Sequence, residues 1–259
     1  MALLRAIILG VAVGFAAPAV PAAAQDVTPP PPPSVEAGIE SDVGSLYLFR
    51  GLVYSSGAVT QSKVWLSSGR LDLYGWTNVA VPASPGARTL DEVDTGVAYT
   101  IERGAIAIVP ALDIYMYRLS DAELAGGVAS HTAELSLAES YTRGGTTLSA
   151  KQVVDARSYR GAFFGQVGVS HTRPLSASAD VEVAALAGWA SRRFSRSYFG
   201  PDVSGLALAG ASVSVTRRVG RRLYLRPHVE ITAIPASRLR AAVTRPFNAI
   251  VGVAVGAVR

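Results

Sequence analysis

The sequence contains no cysteine, only two methionines and three histidines. Without cysteine, the chain has no disulfide framework, no lipid-anchored cysteine and no thiol chemistry. Beyond its first segment it has no run approaching 18 apolar residues, which excludes a transmembrane helix there. Phosphate-binding loops and the H-E-x-x-H and G-x-S-x-G motifs of hydrolases are also missing. The sequence therefore predicts no enzyme and no cofactor.

The N-terminal residues follow the order of a secretory signal peptide. Met1 to Arg5 is a short basic start, Ala6 to Ala17 is an apolar run of about a dozen residues, and Ala22-Ala23-Ala24 is a small-residue cleavage site. The apolar run is too short to span a bilayer. We predict that residues 1–24 are removed on export and that the mature chain begins near Gln25. A buried N-terminal helix is the alternative.

A proline run follows the predicted cleavage site. Pro29 to Pro33 are consecutive prolines, and such a run adopts an extended polyproline conformation without a packed core. We interpret residues 25–34 as a periplasmic spacer and residues 35–259 as the folded part. The net charge of +5 comes from arginine more than lysine. In an exported protein this favours contact with anionic lipid or lipopolysaccharide and not with nucleic acid.

From residue 35 onward the apolar pattern has a period of two, which is typical of β-strands. In the clearest segment, Leu223, Leu225, Val229 and Ile231 alternate with Tyr224, Arg226, His228 and Glu230. About twelve segments show this alternation. They are residues 35–53, 58–66, 70–81, 92–102, 104–119, 128–140, 145–155, 161–171, 179–190, 204–217, 221–233 and 247–258. The parity slips near Gly210, where we predict a bulge, and near Val43-Gly44.

The lengths of the connections alternate as well. Connections after even-numbered segments are tight, as at Arg103-Gly104, although Thr172 to Ser178 is somewhat longer. Connections after odd-numbered segments are longer, such as Pro82 to Asp91, Arg192 to Val203 and Pro235 to Pro246. Short turns that alternate with long loops are typical of outer-membrane barrels with both termini in the periplasm. We predict an all-β, antiparallel, up-and-down transmembrane β-barrel of about 12 strands, located in the bacterial outer membrane.

The polar face of this barrel would line its lumen, because a charge is costly on a lipid-facing surface. The predicted inward carboxylates are Glu36, Glu40, Asp72, Asp94, Asp113, Glu134, Glu182 and Glu230. The predicted inward bases are Lys63, Lys151, Arg226 and Arg50. In a soluble barrel or sandwich the two faces would be exchanged. We expect Trp65, Trp76, Trp189 and the tyrosines to form interfacial girdles and lumen packing.

One segment resembles a known family. The stretch Ser41-Asp-Val-Gly-Ser-Leu-Tyr-Leu-Phe-Arg-Gly-Leu52, with the Ser55-Ser56-Gly57 turn and the later Leu73-Tyr-Gly-Trp-Thr-Asn78, is similar to the start of a family of uncharacterised proteobacterial proteins. Members begin with a strand of the type S-D-Y-x-F-R-G, and the resemblance implies an outer-membrane β-barrel. The residues Val43 to Leu46 are an insertion relative to that motif. The resemblance covers about residues 35–80 and implies no activity.

The candidates for chemistry are few. Ser130, His131 and Glu134 imitate a nucleophile, a base and an orienting carboxylate. Adjacent residues on a strand point to opposite faces, so we expect that Ser130 and His131 do not meet. Asp72, Asp94 and Asp113 share a face, but a calcium site requires six to eight oxygens and no matching loop is present. Ion pairs with Lys63, Lys151 and Arg226 are the simpler interpretation, so we predict neither a catalytic nor a metal site.

Three functional hypotheses remain open. The first is a narrow pore or small-solute channel whose inward carboxylates favour cations. The second is a non-conducting barrel whose arginine-rich loops bind lipopolysaccharide or a partner. These loops contain Arg192, Arg193, Arg196, Arg238, Arg240 and Arg245. The third is a lipid-modifying barrel enzyme. Outer-membrane lipid is the expected surrounding in each case, and a homo-oligomer is compatible with all three.

Overall fold

The computed structural model describes residues 35–81, 90–119 and 128–259. The predicted signal peptide and the proline-rich spacer lie outside these residues. The strands are β1 (Val35–Gly44), β2 (Tyr47–Phe49), β3 (Leu52–Ser55), β4 (Val59–Ser68), β5 (Leu71–Ala80), β6 (Leu90–Tyr99), β7 (Ile101–Arg103), β8 (Ile106–Tyr117), β9 (His131–Arg143), β10 (Thr146–Asp155), β11 (Phe163–Ser176), β12 (Ala179–Ala190), β13 (Gly205–Val219), β14 (Leu223–Ala233) and β15 (Phe247–Val258). Two short helices are α1 (Arg192–Tyr198) and α2 (Ser237–Arg240).

The strands form a closed antiparallel barrel of 12 strands. Strand β1 closes it, because β1 pairs with β15 on one side and with β4 on the other. Strands β6 and β7 form one wall strand interrupted at Thr100, and both pair with β8. All other wall strands pair with their neighbours in the chain. Because the sheet closes on itself, the wall strands from β8 to β15 and β1, β4, β5 and β6 are each paired on both sides.

The two faces of the wall have opposite character, as the alternation predicts. Large apolar side chains on the outer face are exposed, from Ile114 at 36% to Val35 at 65%. Their neighbours along the strands point inward and are mostly polar, glycine or alanine. A soluble barrel would bury its apolar face inside, so this barrel spans a membrane. Its shortest full strands have 10 residues, about the length of 9–11 residues that crosses a bilayer when tilted.

The connections alternate in length as predicted. At one end, here called the turn end, the strands are joined by residues 69–70, 104–105, 144–145, 177–178 and 220–222. At the other, the loop end, connections include residues 45–58, 156–162, 191–204 and 234–246. Two further connections at the loop end, including most of Pro82 to Asp91, extend outside the described residues. Val35 and Val258 both lie at the turn end. Among the described residues, no helix is long and apolar enough to cross a membrane.

The first predicted segment, 35–53, is not a single strand. Strand β1 ends at Gly44, and β2 and β3 form a separate two-stranded hairpin. We call residues 46–55 the plug hairpin, because Leu46, Tyr47, Leu48 and Phe49 are all buried. The alternation breaks at Val43-Gly44 because the chain leaves the wall there and folds inward.

Two irregular places in the wall, the predicted connection at residues 172–178 and the predicted bulge near Gly210, can be compared with the structure. The connection placed at Thr172 to Ser178 is largely strand, since β11 continues to Ser176 and only residues 177–178 form the turn. Pro174 is accommodated by a register shift next to it. In β13, the strand partners of Gly188 and Trp189 are Leu208 and Leu206, so Ala207 is the extra residue of the bulge. The bulge therefore lies close to Gly210, as the parity slip predicts.

Candidate functional site: the barrel lumen

The plug hairpin turns at Arg50 and Gly51, which have φ angles of 52° and 90°. Among the described residues, Arg50 is the one non-glycine residue with positive φ. Such a conformation is unfavourable for an arginine and persists only where surrounding contacts hold it. The contacts of the Arg50 side chain supply that restraint.

Arg50 connects the tip of the plug hairpin to the barrel wall. Its Nη1 and Nη2 atoms donate to the two carboxylate oxygens of Glu134 at 2.8 and 2.5 Å. The Arg50 and Glu134 side chains are only 11% and 2% exposed. The guanidinium carbon lies 4.5 Å from the ring centroid of Phe49, 5.3 Å from that of Phe164 and 5.4 Å from that of Phe194. A bidentate pair among aromatic faces fixes the orientation of the guanidinium.

Aromatic side chains fill the space around the hairpin at the loop end. Ring centroids of Tyr47 and Trp76 are 5.6 Å apart, and those of Phe49 and Tyr115 are 6.1 Å apart. Helix α1 adds Phe194 and Tyr198, which stack at 4.4 Å. Its N-cap, Ser191, accepts a hydrogen bond from the Phe194 backbone N–H. The hairpin and α1 thus narrow the lumen at the loop end.

A row of carboxylates crosses the wall beside this cluster. Asp113, Glu134 and Asp155 are direct register partners on β8, β9 and β10. Asp113 accepts a hydrogen bond from the Tyr74 hydroxyl at 2.6 Å, and Asp155 accepts one from the Thr132 hydroxyl at 2.6 Å. Asp155 also accepts backbone N–H groups of the 156–162 loop. Asp155 is not among the inward carboxylates predicted from the alternation, although its parity matches that of Lys151.

The half of the lumen beside β1 and β14 is polar and more open. The Arg226 guanidinium donates to Glu40 at 2.7 Å, and the Tyr224 hydroxyl donates to Glu40 at 2.5 Å. His228 Nε2 lies 2.9 Å from an oxygen of Asp42. The four charged or imidazole side chains of these pairs keep between 19% and 27% of their surface exposed inside the barrel. This half of the lumen is therefore accessible to water.

Glycines on β15 make room for these side chains. A Cβ atom at Gly252 would overlap the imidazole of His228, and one at Gly256 would overlap the ring of Tyr224. Both glycines face inward at positions paired with those residues. The alternation of valine with glycine or alanine in β15 therefore serves two surfaces: valine faces lipid, and the small residues accommodate the lumen side chains.

The structure places the sequence-predicted lumen residues as follows. Glu36, Glu40, Lys63, Asp72, Asp94, Asp113, Glu134, Lys151, Glu182, Arg226 and Glu230 lie on the inward face of the wall strands. Arg50 enters the lumen from the tip of the plug hairpin and not from a wall strand. Other inward charged residues that were not predicted are Asp42, Glu92, Asp155, Asp180 and Arg218. Among the described inward residues, carboxylates outnumber bases.

Ser130 and His131 do meet, contrary to the sequence expectation. Ser130 Oγ lies 3.2 Å from His131 Nδ1, because Ser130 precedes β9 and its backbone bends away from the strand. Glu134 does not complete a triad, because its carboxylate faces inward to Arg50. In the described residues no group of three or more His, Asp or Glu side chains is placed to hold a metal ion.

The three tryptophans divide between the two surfaces. Trp76 is buried in the lumen at 5% exposure, and Trp65 packs inward over Gly38. Trp189 lies on the outer face near the loop end, with 48% of its surface exposed. Only Trp189 therefore has the placement of an interfacial residue, while the other two fill the lumen.

No protein-family model and no curated protein sequence matches the chain. Among solved structures, the NanC porin is similar over 86% of this chain and 98% of its own, at 10% identity and a TM-score of 0.48. The COG4313 outer membrane channel from Pseudomonas putida F1 is similar over 92% of this chain and 100% of its own, at 8% identity and a TM-score of 0.47. The KdgM porin in complex with disordered oligogalacturonate is similar over 85% of this chain and 97% of its own, at 6% identity and a TM-score of 0.46. At these TM-scores the assignment of the barrel rests on its own strand pairing.

Proposed function

We propose that this protein is an outer-membrane channel for small solutes, narrowed at the loop end by the plug hairpin. The observation that carries the proposal is the water-accessible polar lumen below the hairpin, where Glu40, Asp42, Arg226 and His228 are partly exposed inside the barrel. The signal-peptide pattern supports the outer membrane as its location, with the loop end outside the cell.

The balance of inward charges supports a preference for cations. Carboxylates occur along the whole length of the lumen, from Glu36 at the turn end to Glu92 at the loop end. The bases are fewer, and Arg50, Arg218 and Arg226 each form an ion pair with a carboxylate. Rings of acidic side chains attract cations and repel anions at short range. A mildly cation-favouring pore follows from this distribution.

Recording in a planar lipid bilayer tests the proposal. Purified, refolded protein is expected to give discrete conductance steps, and its reversal potential in a KCl gradient should indicate cation preference. The double variant Glu36→Gln, Glu182→Gln should reduce that preference, because both side chains face inward. Glu139→Gln is the matched control, since Glu139 lies on the outer face between Leu137 and Tyr141. Absence of conductance in correctly folded protein would contradict the channel.

A second candidate is a non-conducting barrel that binds anionic lipid at its loops. The bidentate Arg50–Glu134 pair and the aromatic cluster favour it, because they fill the loop-end half of the lumen. Its binding surface would be the exposed arginines of the loops, which are Arg192, Arg193, Arg196, Arg238, Arg240 and Arg245. These side chains suit the phosphates of lipopolysaccharide. A silent bilayer recording, together with retention of lipopolysaccharide that is lost on replacing these arginines, would support this candidate over the channel.

A further inference from the structure

A cavity lies directly below the plug hairpin. Leu46, Tyr47 and Leu48 of the hairpin form one side of it. The rest is lined by inward side chains of the wall, which include Asp42, Gln61, Ser212, Ser214, His228, Glu230 and Ile250. Its volume of about 70 Å³ is several times the ~10–15 Å³ that one water requires by the same measure. The cavity therefore accommodates a small organic molecule or a few waters.

Glu230 differs from the other carboxylates of this region. Glu40 is held by Arg226 and Tyr224, and Asp42 is held by His228. Glu230 is only 8% exposed and lines the cavity. Its described interaction is electrostatic, with His228, whose Nε2 already lies against Asp42, and no described side chain donates a hydrogen bond to it. Burying a carboxylate without a partner is costly. A cationic ligand in the cavity would remove that cost.

Two described side chains that line the cavity can carry a positive charge, Arg226 and His228, and each already faces a carboxylate. Arg226 lines the cavity, but its guanidinium donates to both carboxylate oxygens of Glu40 at 2.7 Å. The acceptors that remain are the carboxylate of Glu230, the carboxylate of Asp42 beside His228, and the hydroxyls of Ser212 and Ser214. The serine hydroxyls can donate as well as accept, but the carboxylates of Glu230 and Asp42 would repel an anion. The electrostatics of the cavity therefore select a cation.

The shape of the lining distinguishes between kinds of cation. A divalent metal needs several ligands that converge on one point, and the described residues contain no such group of three. One side of the cavity is apolar, formed by Leu46, Leu48 and Ile250, which pack together. The carboxylate and hydroxyl acceptors lie beside these apolar groups, because Glu230 is the strand partner of both Ile250 and Ser212. A molecule with an ammonium group and a short hydrocarbon chain satisfies both the polar and the apolar lining.

We propose that this cavity is a binding subsite for a small alkylammonium compound, whose ammonium group binds Glu230 while its alkyl chain contacts Leu46, Leu48 and Ile250. The inference rests on the proposed channel function and specifies a class of solute for it. Register places the acceptors together, because Glu230 is paired with Ser212 on β13 and with Ile250 on β15. The plug hairpin contributes Leu46 and Leu48 to the apolar part of the lining, so the subsite is complete only when the hairpin is folded into the lumen.

Titration calorimetry on refolded protein in detergent tests the subsite, with propylammonium as the probe. Propanol and propionate are matched probes of similar size, one neutral and one anionic. We expect measurable binding of propylammonium and at least about tenfold weaker binding of the other two, because a charge-assisted hydrogen bond is lost. Equal binding of propanol would overturn the proposal, and so would full displacement of propylammonium by equimolar sodium.

Substitutions test whether Glu230 is the residue that binds the ammonium group. Glu230→Gln should weaken propylammonium binding about tenfold or more. Glu182→Gln is the matched control, because Glu182 is also 8% exposed and inward-facing but is held by Thr172 outside this cavity. Leu48→Trp leaves Glu230 unchanged but fills the cavity from the hairpin, and it should abolish binding. Unchanged affinity in either Glu230→Gln or Leu48→Trp would reject the site.

The measurement in detergent separates this inference from the channel itself. Binding of propylammonium to a barrel that gives no conductance would leave the subsite standing and remove the proposed function. Conductance in a bilayer without any propylammonium binding in detergent would do the reverse.

Discussion

Arg50 and Glu134, which are 84 positions apart in the chain, form a bidentate ion pair between the tip of the plug hairpin and strand β9. The pair is almost completely buried, and Arg50 adopts a left-handed backbone conformation to form it. Breaking a buried pair leaves one uncompensated charge, whereas an exposed pair contributes little. The pair is therefore the principal polar attachment between the hairpin tip and the wall.

Replacing Arg50 with Ala should release the hairpin. We expect the free energy of unfolding to fall by about 3–5 kcal/mol, because Glu134 loses its buried partner, and the single-channel conductance to rise. Urea unfolding in detergent and bilayer recording measure the two effects. Arg196→Ala is the control, because the pair of Arg196 with Asp202 is exposed at 65% and 47%. An unchanged conductance in Arg50→Ala would show that the hairpin does not restrict the pore.

The outer face should tolerate no charge near the middle of the membrane. We expect Ile114→Arg and Val229→Arg to destabilise the barrel by about 2–4 kcal/mol, because both residues lie on the exposed apolar face. Asp113→Asn should leave the barrel folded, since Asn still accepts a hydrogen bond from Tyr74. Heat-modifiable migration on a gel and urea unfolding report the difference.

Fluorescence quenching tests which face of the wall meets lipid. A fluorophore on Val229→Cys should be quenched by a lipid-attached quencher, and one on the inward-facing Ser212→Cys should not.

Two tyrosine–carboxylate hydrogen bonds should differ in strength because they differ in burial. Tyr74 donates to Asp113 where both are buried, whereas Tyr224 donates to Glu40 in the wetter half of the lumen. Tyr74→Phe should cost about 1–3 kcal/mol, since a buried carboxylate loses a donor. Tyr224→Phe should cost less, because Arg226 and water still reach Glu40. Parallel urea unfolding of the two variants compares them, and equal losses would argue against an effect of this difference in burial.

Labelling of single introduced cysteines tests which end of the barrel faces the outside of the cell. The sequence contains no native cysteine that would also react with the label. Ser197→Cys lies on the exposed surface of α1 at the loop end, and Ala105→Cys lies in the short turn at the opposite end. On intact cells, a membrane-impermeant maleimide should react with the first and not with the second. The reverse pattern would place the loop end in the periplasm.

The wall of the barrel was predictable because side chains along each strand alternate between the lipid-facing and the lumen-facing surface. In β14, Leu225 and Val229 face outward while Arg226 and Glu230 face inward, and the parity follows from strand geometry alone. The short turns, such as residues 144–145, were predictable for the same local reason. The direction of the apolar face was settled by the structure, since alternation is identical in a soluble barrel and a membrane barrel.

The plug hairpin could not be predicted from the sequence pattern. Residues Leu46 to Phe49 are apolar and aromatic without alternation, and their burial depends on side chains from distant strands, such as Trp76 and Tyr115. The sequence by itself determined the wall strands and which of their residues share a face, because these depend on local periodicity. The closure of the barrel is a long-range pairing of β1 with β15, which the structure shows. Only the tertiary structure decided how the lumen is filled, that Arg50 pairs with Glu134, and that Glu230 faces a cavity, because these depend on contacts across the barrel.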